Sequence, residues 1–225
     1  MFGDPVESLL VSVSALLLAY LMGSIPAGVL IARRFNVDLQ RVGSGNTGAT
    51  NVQRALGWGP ALVTAAFDVS KGAIAVVVSR WLGQDPWLVA ACGVAAVIGH
   101  TFSLFLGFTG GKGASTAFGT ILAIWPVTGI ALLPIALSVM AVTRYVSAGV
   151  LVAGVAAPVL ALTLVRPVHE VLAGLALGGL MFFTHRSNLT RLWTGSERRV
   201  GQRLRVLQRL AKGAEASRPQ PQRTR

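Results

Sequence analysis

Five stretches of this chain approach or reach the length needed to cross a bilayer, and nothing else limits the fold as much. A crossing takes roughly 20 mainly apolar residues. Ser8 to Ala32, Leu56 to Val78, Trp87 to Leu106, Val146 to Val165 and Val168 to Thr184 qualify on that measure. Gly113 to Thr143 is too long for one comfortable crossing and short for two. Inside hydrocarbon every backbone N–H and C=O must find an internal partner, so such a chain becomes a helix bundle. Composition agrees. Of the 225 residues, 53% are hydrophobic and only 12% charged. An ordinary soluble domain carries about 25% charged residues.

Charge decides the ambiguous middle. Basic residues favour the cytoplasmic side of a membrane. With Arg33, Arg34, Arg41 and Arg54 placed inside, Asp4 and Glu7 lie outside and Lys112 returns to the inside. Had Gly113 to Thr143 crossed once, the eleven Lys and Arg from Arg186 onward would end outside. Two crossings, turning near Pro126–Gly129, put Arg144 and the tail inside and leave only Arg80 and Arg166 outside. Pro134 is expected to kink the returning helix. The expected fold is all-α: a polytopic membrane helix bundle of seven transmembrane helices, two of them short, with the N-terminus outside and the C-terminus cytoplasmic.

Residues 1–198 read as a single transmembrane domain and 199–225 as a basic cytoplasmic tail. Val200, Leu204, Leu207 and Ala211 share one helical face, as in an amphipathic helix on an anionic leaflet. Ser217 to Arg225 has the composition of a disordered end. A net charge of +12 also suits nucleic acid, but basic residues flanking spans are its commoner origin in a polytopic chain, so no nucleic-acid partner is expected. No basic residue precedes the first apolar run, unlike a secretory signal. Cys92 is alone, so no intrachain disulfide forms. Three dispersed His and no second Cys carry no metal signature. No metal or cofactor is expected.

Two glycine-rich patches interrupt the apolar pattern. They are Gly43-Ser44-Gly45-Asn46-Thr47-Gly48-Ala49-Thr50-Asn51 and Gly107-Phe108-Thr109-Gly110-Gly111-Lys112-Gly113. Irregular backbone at membrane depth is tolerated where it lines a site or a wet cavity. Exposed N–H groups with a nearby cation suit an anion, above all phosphate. Gly43, Gly45 and Gly48 match G-x-G-x-x-G, but a dinucleotide fold needs a βαβ unit and the flanks here are spans. Gly111-Lys112 fails as a P-loop, since position 106 is Leu and position 113 is Gly. The bland alternative is a polar connector. Arg54, one short helical turn past Asn51, can hold phosphate in bidentate fashion. Lys112 has no neighbouring acid and is either a phosphate ligand or a snorkelling anchor. Asp68 and Lys71 share a helix face and read best as a self-neutralising pair that anchors the loop. His100 reads as a packing residue and His169 as incidental. His185 and Asn188 sit where the last span meets the inside, either as a polar helix end or as part of a site.

Taken together these segments closely resemble the bacterial acyl-phosphate:glycerol-3-phosphate acyltransferase (PlsY) family. The likeness runs through Gly23–Gly28, Gly43–Arg54, Asp68–Gly72, Gly99–Ser103, Gly110–Gly113, Arg144–Ser147, His185–Leu189, Arg191-Leu192 and Gly195–Glu197. It ends near Arg199. Ser187 stands where Glu is usual, Thr109 where Lys is common, and Val150 where a second Ser often follows. The resemblance implies acyl transfer from acyl phosphate to the 1-hydroxyl of sn-glycerol 3-phosphate, giving lysophosphatidic acid and phosphate at the cytoplasmic face of the inner membrane. It implies catalytic roles for Ser44, Arg54, Lys112, His185 and Asn188. Substrate contacts are implied for Gly43, Gly45, Asn46, Thr47, Thr50, Asn51, Gly110, Gly111 and Ser147. The lipid bilayer and an acyl-phosphate-producing enzyme are the implied partners. Two other readings stand beside it. A transporter of an anionic phosphate solute would use the same nests, though it should show paired repeats and none is found. A basic-tail scaffold would lose its function on truncation after Glu197, whereas the enzyme would largely keep it.

Overall fold

A computed structural model of the chain describes residues 4–200. The amphipathic face beyond Val200 and the terminal Ser217–Arg225 segment therefore lie outside the described residues. Ten α-helices and one 3₁₀ turn make up the secondary structure among those residues. Helix α1 (Pro5–Ser24) opens on Asp4, whose carboxylate accepts from the Val6 N–H, with Pro5 in the first turn where its missing N–H is harmless. Pro26 then interrupts the first apolar run, because it cannot donate and forces Ile25 out of helical geometry. The chain resumes as α2 (Ala27–Arg33), so the span reaches from Pro5 to Arg33 with a break in it.

A loop leads to the short α3 (Ala49–Leu56) and, after Gly57 at φ 92°, to α4 (Trp58–Trp81). Next come α5 (Pro86–Thr101), α6 (Ala114–Ile124), α7 (Pro126–Thr143), α8 (Val146–Thr163), α9 (Val168–Thr184) and α10 (Arg186–Trp193). Among the described residues, five spans are long and apolar enough to cross: Pro5–Arg33, α4, Pro86–Leu106, α7 and α8. A sixth is added if α9 and α10, bent by 61°, count as one. The protein is thus an all-helical integral membrane bundle. Apolar side chains cover its outside: Leu9, Leu10, Leu62, Val127, Ile130 and Leu162 are all exposed, as lipid-facing residues must be.

Small residues set the packing. A Cβ on Gly23 would lie 2.0 Å from the Ala96 carbonyl, and one on Gly178 2.4 Å from that of Gly154, so these backbones touch. Close approach at glycine replaces the hydrophobic drive that lipid cannot supply. The main core runs through α4 to α9 around Trp125, which is 1% exposed.

Helix α6 has 11 residues and rises about 16 Å, half a bilayer. The glycine-rich loop before it explains this length. Gly110 and Gly111 pack on the end of α5 at His100, and Gly113 packs on Val97, so the loop carries the chain into the bundle before α6 begins. Helix α6 then rises parallel to α4, from Thr116 beside Gly72 to Ala123 and Ile124, whose carbonyls accept from Arg80 at 2.7 and 3.0 Å. Gly119 of α6 also packs on the Val69 carbonyl of α4. The expected turn falls at Trp125-Pro126, where Gly129 of α7 folds back against Leu122 of α6.

Candidate functional site

The loop from Val37 to Gly48 is folded by one side chain. Asn51 donates through Nδ2 to the Leu39 and Val42 carbonyls at 3.1 and 3.0 Å, and its Oδ1 accepts from the Ser44 N–H at 3.1 Å. Asn46 Oδ1 accepts from the Gly48 N–H at 3.0 Å. Gly43 and Gly45 sit at φ 64° and 68°, a left-handed region where other residues are strained. The amide of Asn51 therefore shapes the cradle, and Ser44 is left at its rim.

Beneath the second loop lies a buried polar knot. Lys71 Nζ is ion-paired with Asp68 at 2.9 Å, donates to the Gly23 and Ile25 carbonyls at 3.1 and 2.9 Å, and meets His100 Nδ1 at 3.0 Å. Those two carbonyls belong to the break that Pro26 makes between α1 and α2, where helical partners are missing. His100 in turn supports the loop: its carbonyl accepts from the Gly111 N–H, and a Cβ on Gly111 would strike its Nε2 at 1.9 Å. The paired reading of Asp68 and Lys71 holds, with His100 as a third member that spacing along one helix could not reveal.

Lys112 points into the space above. Its Nζ bonds Asn188 Oδ1, and Asn188 Nδ2 donates to Glu197 Oε1 at 2.7 Å. Glu197 also accepts from Ser147 Oγ at 3.1 Å and Arg191 Nε at 2.8 Å. Thr184 Oγ1 donates to the Lys112 carbonyl at 3.0 Å, locking the loop to the end of α9. His185 Nδ1 meets the Met181 carbonyl at 2.9 Å. A carbonyl can only accept, so Nδ1 carries the proton and Nε2 keeps its lone pair.

Two joined polar cavities result. The outer one, about 450 Å³, is lined by Gly43, Ser44, Gly45, Asn46 and Gly110, with Arg54, Lys112, Arg191 and Arg198 facing Glu197, its single carboxylate among the described residues. The inner one, about 100 Å³, adds Thr50, Asn51, Ser147, His185 and Asn188, with Asp68 and His100 at its floor. Ser44 and Lys112, 68 residues apart in sequence, thus share one pocket. Thr47 and Gly111 line neither cavity: the Thr47 carbonyl packs where a Cβ on Gly28 would lie, and Gly111 rests on His100.

The electrostatics follow from the crowding of cations. Burial, then Arg191, pulls Lys112 down to about 8. Burial, then Arg198, lowers Arg54, which still stays protonated at any ordinary pH. Burial, then Lys112, lowers His185 to about 4, so its imidazole is neutral near pH 7. Burial opposes the charged form of Glu197, but the bonds from Arg191, Asn188 and Ser147 outweigh it and hold the carboxylate below its usual range. Such a pocket is built to receive more than one negative charge. Glu197, Arg191 and Arg198 are the site residues that sequence reasoning passed over. The available signal was Glu197 itself, one of only two acids among the last forty residues.

Residues 13–195 match the profile of the glycerol-3-phosphate acyltransferase family. A glycerol-3-phosphate acyltransferase of Thermus thermophilus is 57% identical over 193 residues, covering 86% of this chain and 97% of the relative. Glycerol-3-phosphate acyltransferase 1 of Deinococcus radiodurans is 48% identical over 195 residues, 87% and 98% of the two chains. Among solved structures, the glycerol 3-phosphate form of PlsY (YgiH), an integral membrane glycerol 3-phosphate acyltransferase, superposes with a TM-score of 0.81 at 36% identity, covering 88% of this chain and 98% of that one. Its lysophosphatidic acid form gives 0.79 at the same identity, over 85% and 96%.

Proposed function

This chain belongs to the glycerol-3-phosphate acyltransferase family, and from its site we propose that it moves a fatty acyl group from acyl phosphate to the 1-hydroxyl of sn-glycerol 3-phosphate. The hydroxyl oxygen bonds to the acyl carbon, the bond from that carbon to the phosphate oxygen breaks, and lysophosphatidic acid and inorganic phosphate leave. One observation carries the reading: four cations and two glycine-rich loops surround one cavity at the head of a membrane bundle. Each reactant brings a phosphate, and the cavity offers more positive charge than one phosphate requires.

The site residues take roles from that chemistry. Lys112 and Arg54 hold the phosphates and offset charge that builds on the acyl oxygen and the leaving group. Ser44, Ser147 and Asn188 orient the glycerol; Gly43, Gly45, Asn46, Thr50, Asn51 and Gly110 line the cradle, and Thr47 and Gly111 pack behind it. His185 has a free Nε2, yet its low proton affinity makes it a weak base. A phosphate oxygen of the donor, which gains negative charge as the acyl–oxygen bond breaks, is the better acceptor for the glycerol proton. No part of this chemistry calls for a cofactor.

The proposal extends to topology. Counting α6 as a short crossing gives seven, with the N-terminus outside, the site on the cytoplasmic side of the bacterial inner membrane, residues 1–198 as the acyltransferase unit and 199–225 as an accessory tail. An acyl-phosphate-producing enzyme would be its functional neighbour. The test is reconstitution. Purified protein given hexadecanoyl phosphate and radiolabelled glycerol 3-phosphate should release phosphate and lysophosphatidate one for one. Phosphate release without lysophosphatidate, or neither product, overturns the reading. In the same assay a His185→Ala variant should keep turnover within about tenfold; a loss of 10³ or more would return the base to His185.

A further inference from the structure

The chain leaves the site by a short strap, Glu197 to Val200. Glu197 anchors one end, its carboxylate accepting from Ser147, Asn188 and Arg191. The Val200 N–H anchors the other, donating to the Arg144 carbonyl at 2.7 Å. Arg144 sits between α7 and α8 at φ 63°, so its carbonyl belongs to the turn and is open to an outside donor. Between the anchors the strap changes surroundings. Arg198 lines the outer polar cavity, whereas Arg199 and Val200 line a separate apolar cavity of about 530 Å³. Leu62 and Leu137 line that second cavity too and are 63% and 53% exposed, so it opens to lipid. Within four residues the chain passes from the phosphate pocket to the edge of the bilayer.

The sequence that follows is distinctive. From Gly201 to Arg225 there are seven Lys and Arg against one acid, Glu215, and Leu204 and Leu207 continue from Val200 at helical spacing. The family match stops at Gly195, so the family's shared reaction does not account for this segment. Basic residues interleaved with apolar ones suit an anionic bilayer surface, which satisfies both; nucleic acid would satisfy only the charge.

Resting on the acyltransferase reading of the site, we propose that residues 201–225 bind anionic lipid in the adjoining leaflet, and that this contact holds the strap down and keeps the site assembled. Lipid shifts such an equilibrium only if it binds one state better than the other. The exit at Val200 supplies that difference, because a docked strap delivers the tail to the bilayer edge. Glu197 passes the effect inward. It fixes Ser147 and Asn188, and Asn188 Oδ1 meets Lys112. Activity therefore rises with the anionic lipid content of the membrane.

The test uses three proteins in nanodiscs. They are the full chain, a chain ending at Gln202, and a full chain carrying Arg203→Gln, Arg205→Gln, Arg209→Gln and Lys212→Gln. The discs hold phosphatidylcholine alone or with one quarter phosphatidylglycerol. On neutral discs all three should turn over hexadecanoyl phosphate and glycerol 3-phosphate within about twofold of one another, which also shows that they fold. On mixed discs the full chain should exceed the other two at least about fivefold in kcat/KM for glycerol 3-phosphate, and high salt should erase the difference. Amide hydrogen exchange of the Ser196–Val200 peptide should slow about tenfold from neutral to mixed discs in the full chain, and not in the Gln variant. Equal rates on mixed discs, or a faster shortened chain, overturn the proposal. So does a shortened chain that is inactive on neutral discs, since the tail would then act without lipid. A rate difference without slowed exchange also overturns it, because the strap would not carry the effect. If added RNA slows exchange on neutral discs and phosphatidylglycerol does not, the partner is nucleic acid and the lipid proposal falls. Slowed exchange on mixed discs in a protein that makes no lysophosphatidate would keep the strap and sink the acyl-transfer reading.

Discussion

At the scale of single residues, Lys112 ties stability and activity to pH with opposite signs. Burial and the Arg191 guanidinium bring it to about 8 from an ordinary 10.5. Between those values the unfolded chain binds more protons than the folded one, so stability rises with pH across that window. Activity goes the other way, because the phosphate ligand loses its charge as pH passes 8. We expect kcat/KM for glycerol 3-phosphate to fall about tenfold per pH unit above that point, since this parameter reports groups of the free enzyme. Lys112→Arg keeps its charge, so its alkaline limb should move beyond pH 10 even if its peak rate is lower. A limb that stays near 8 in the Arg variant would assign the titration to another group. The same crowding makes Asn188 more than a polar helix end. Glu197 accepts from its Nδ2, which forces its Oδ1 toward Lys112.

At the scale of elements, the α1–α2 break and the polar knot are one device. Pro26 frees the carbonyls of Gly23 and Ile25, and Lys71 takes both while pairing with Asp68. Removing one member of a buried pair costs about 3–5 kcal/mol, so Asp68→Asn should lower the thermal midpoint sharply. Asp68→Leu with Lys71→Met removes both charges, which alone is often neutral. Here it should restore only part of the loss, because the Gly23 carbonyl loses its donor and Ile25 keeps only the Ala27 N–H. Full recovery in that double variant would show that the helix break does not depend on Lys71. These elements also mark what the sequence could and could not disclose. Spans were legible from apolar length, and the glycine-rich loops from their small polar residues. The break at Pro26 was masked by a run of 25 residues from Ser8 to Ala32 that reads as one span. The role of His100 was hidden because its partners lie on other helices, 29 and 32 positions away at Lys71 and Asp68. Glu197 stands just before the basic tail with no partner near it in sequence, and only the turn after α10 brings it back to Ser147. Long-range contacts of that kind leave no period in the chain.

At the scale of the whole molecule, α6 decides which way the site faces. The end of α5 at His100, the start of α6 at Ala114, the start of α8 at Val146 and the end of α9 at His185 line the polar cavities. That arrangement needs each helix to reverse the one before it. Trp81 ends α4 far from the site, and Trp193 ends α10 near it; they are 84% and 94% exposed and suit the interfacial belts where indole rings collect. Between them run α5, α6, α7, α8 and α9. If α6 crosses, the two tryptophans lie on opposite sides of the membrane; if it does not, parity puts them on the same side. We expect a membrane-impermeant maleimide to label Trp81→Cys on intact spheroplasts and Trp193→Cys only after permeabilisation. Labelling of both before permeabilisation, or of neither, removes α6 from the count and leaves six crossings. Labelling of Trp193→Cys alone keeps seven but turns the phosphate cavity away from the cytoplasm, where glycerol 3-phosphate could not be supplied. The positive-inside rule disfavours that last outcome, since it would carry Arg33, Arg34, Arg54 and Lys112 across together.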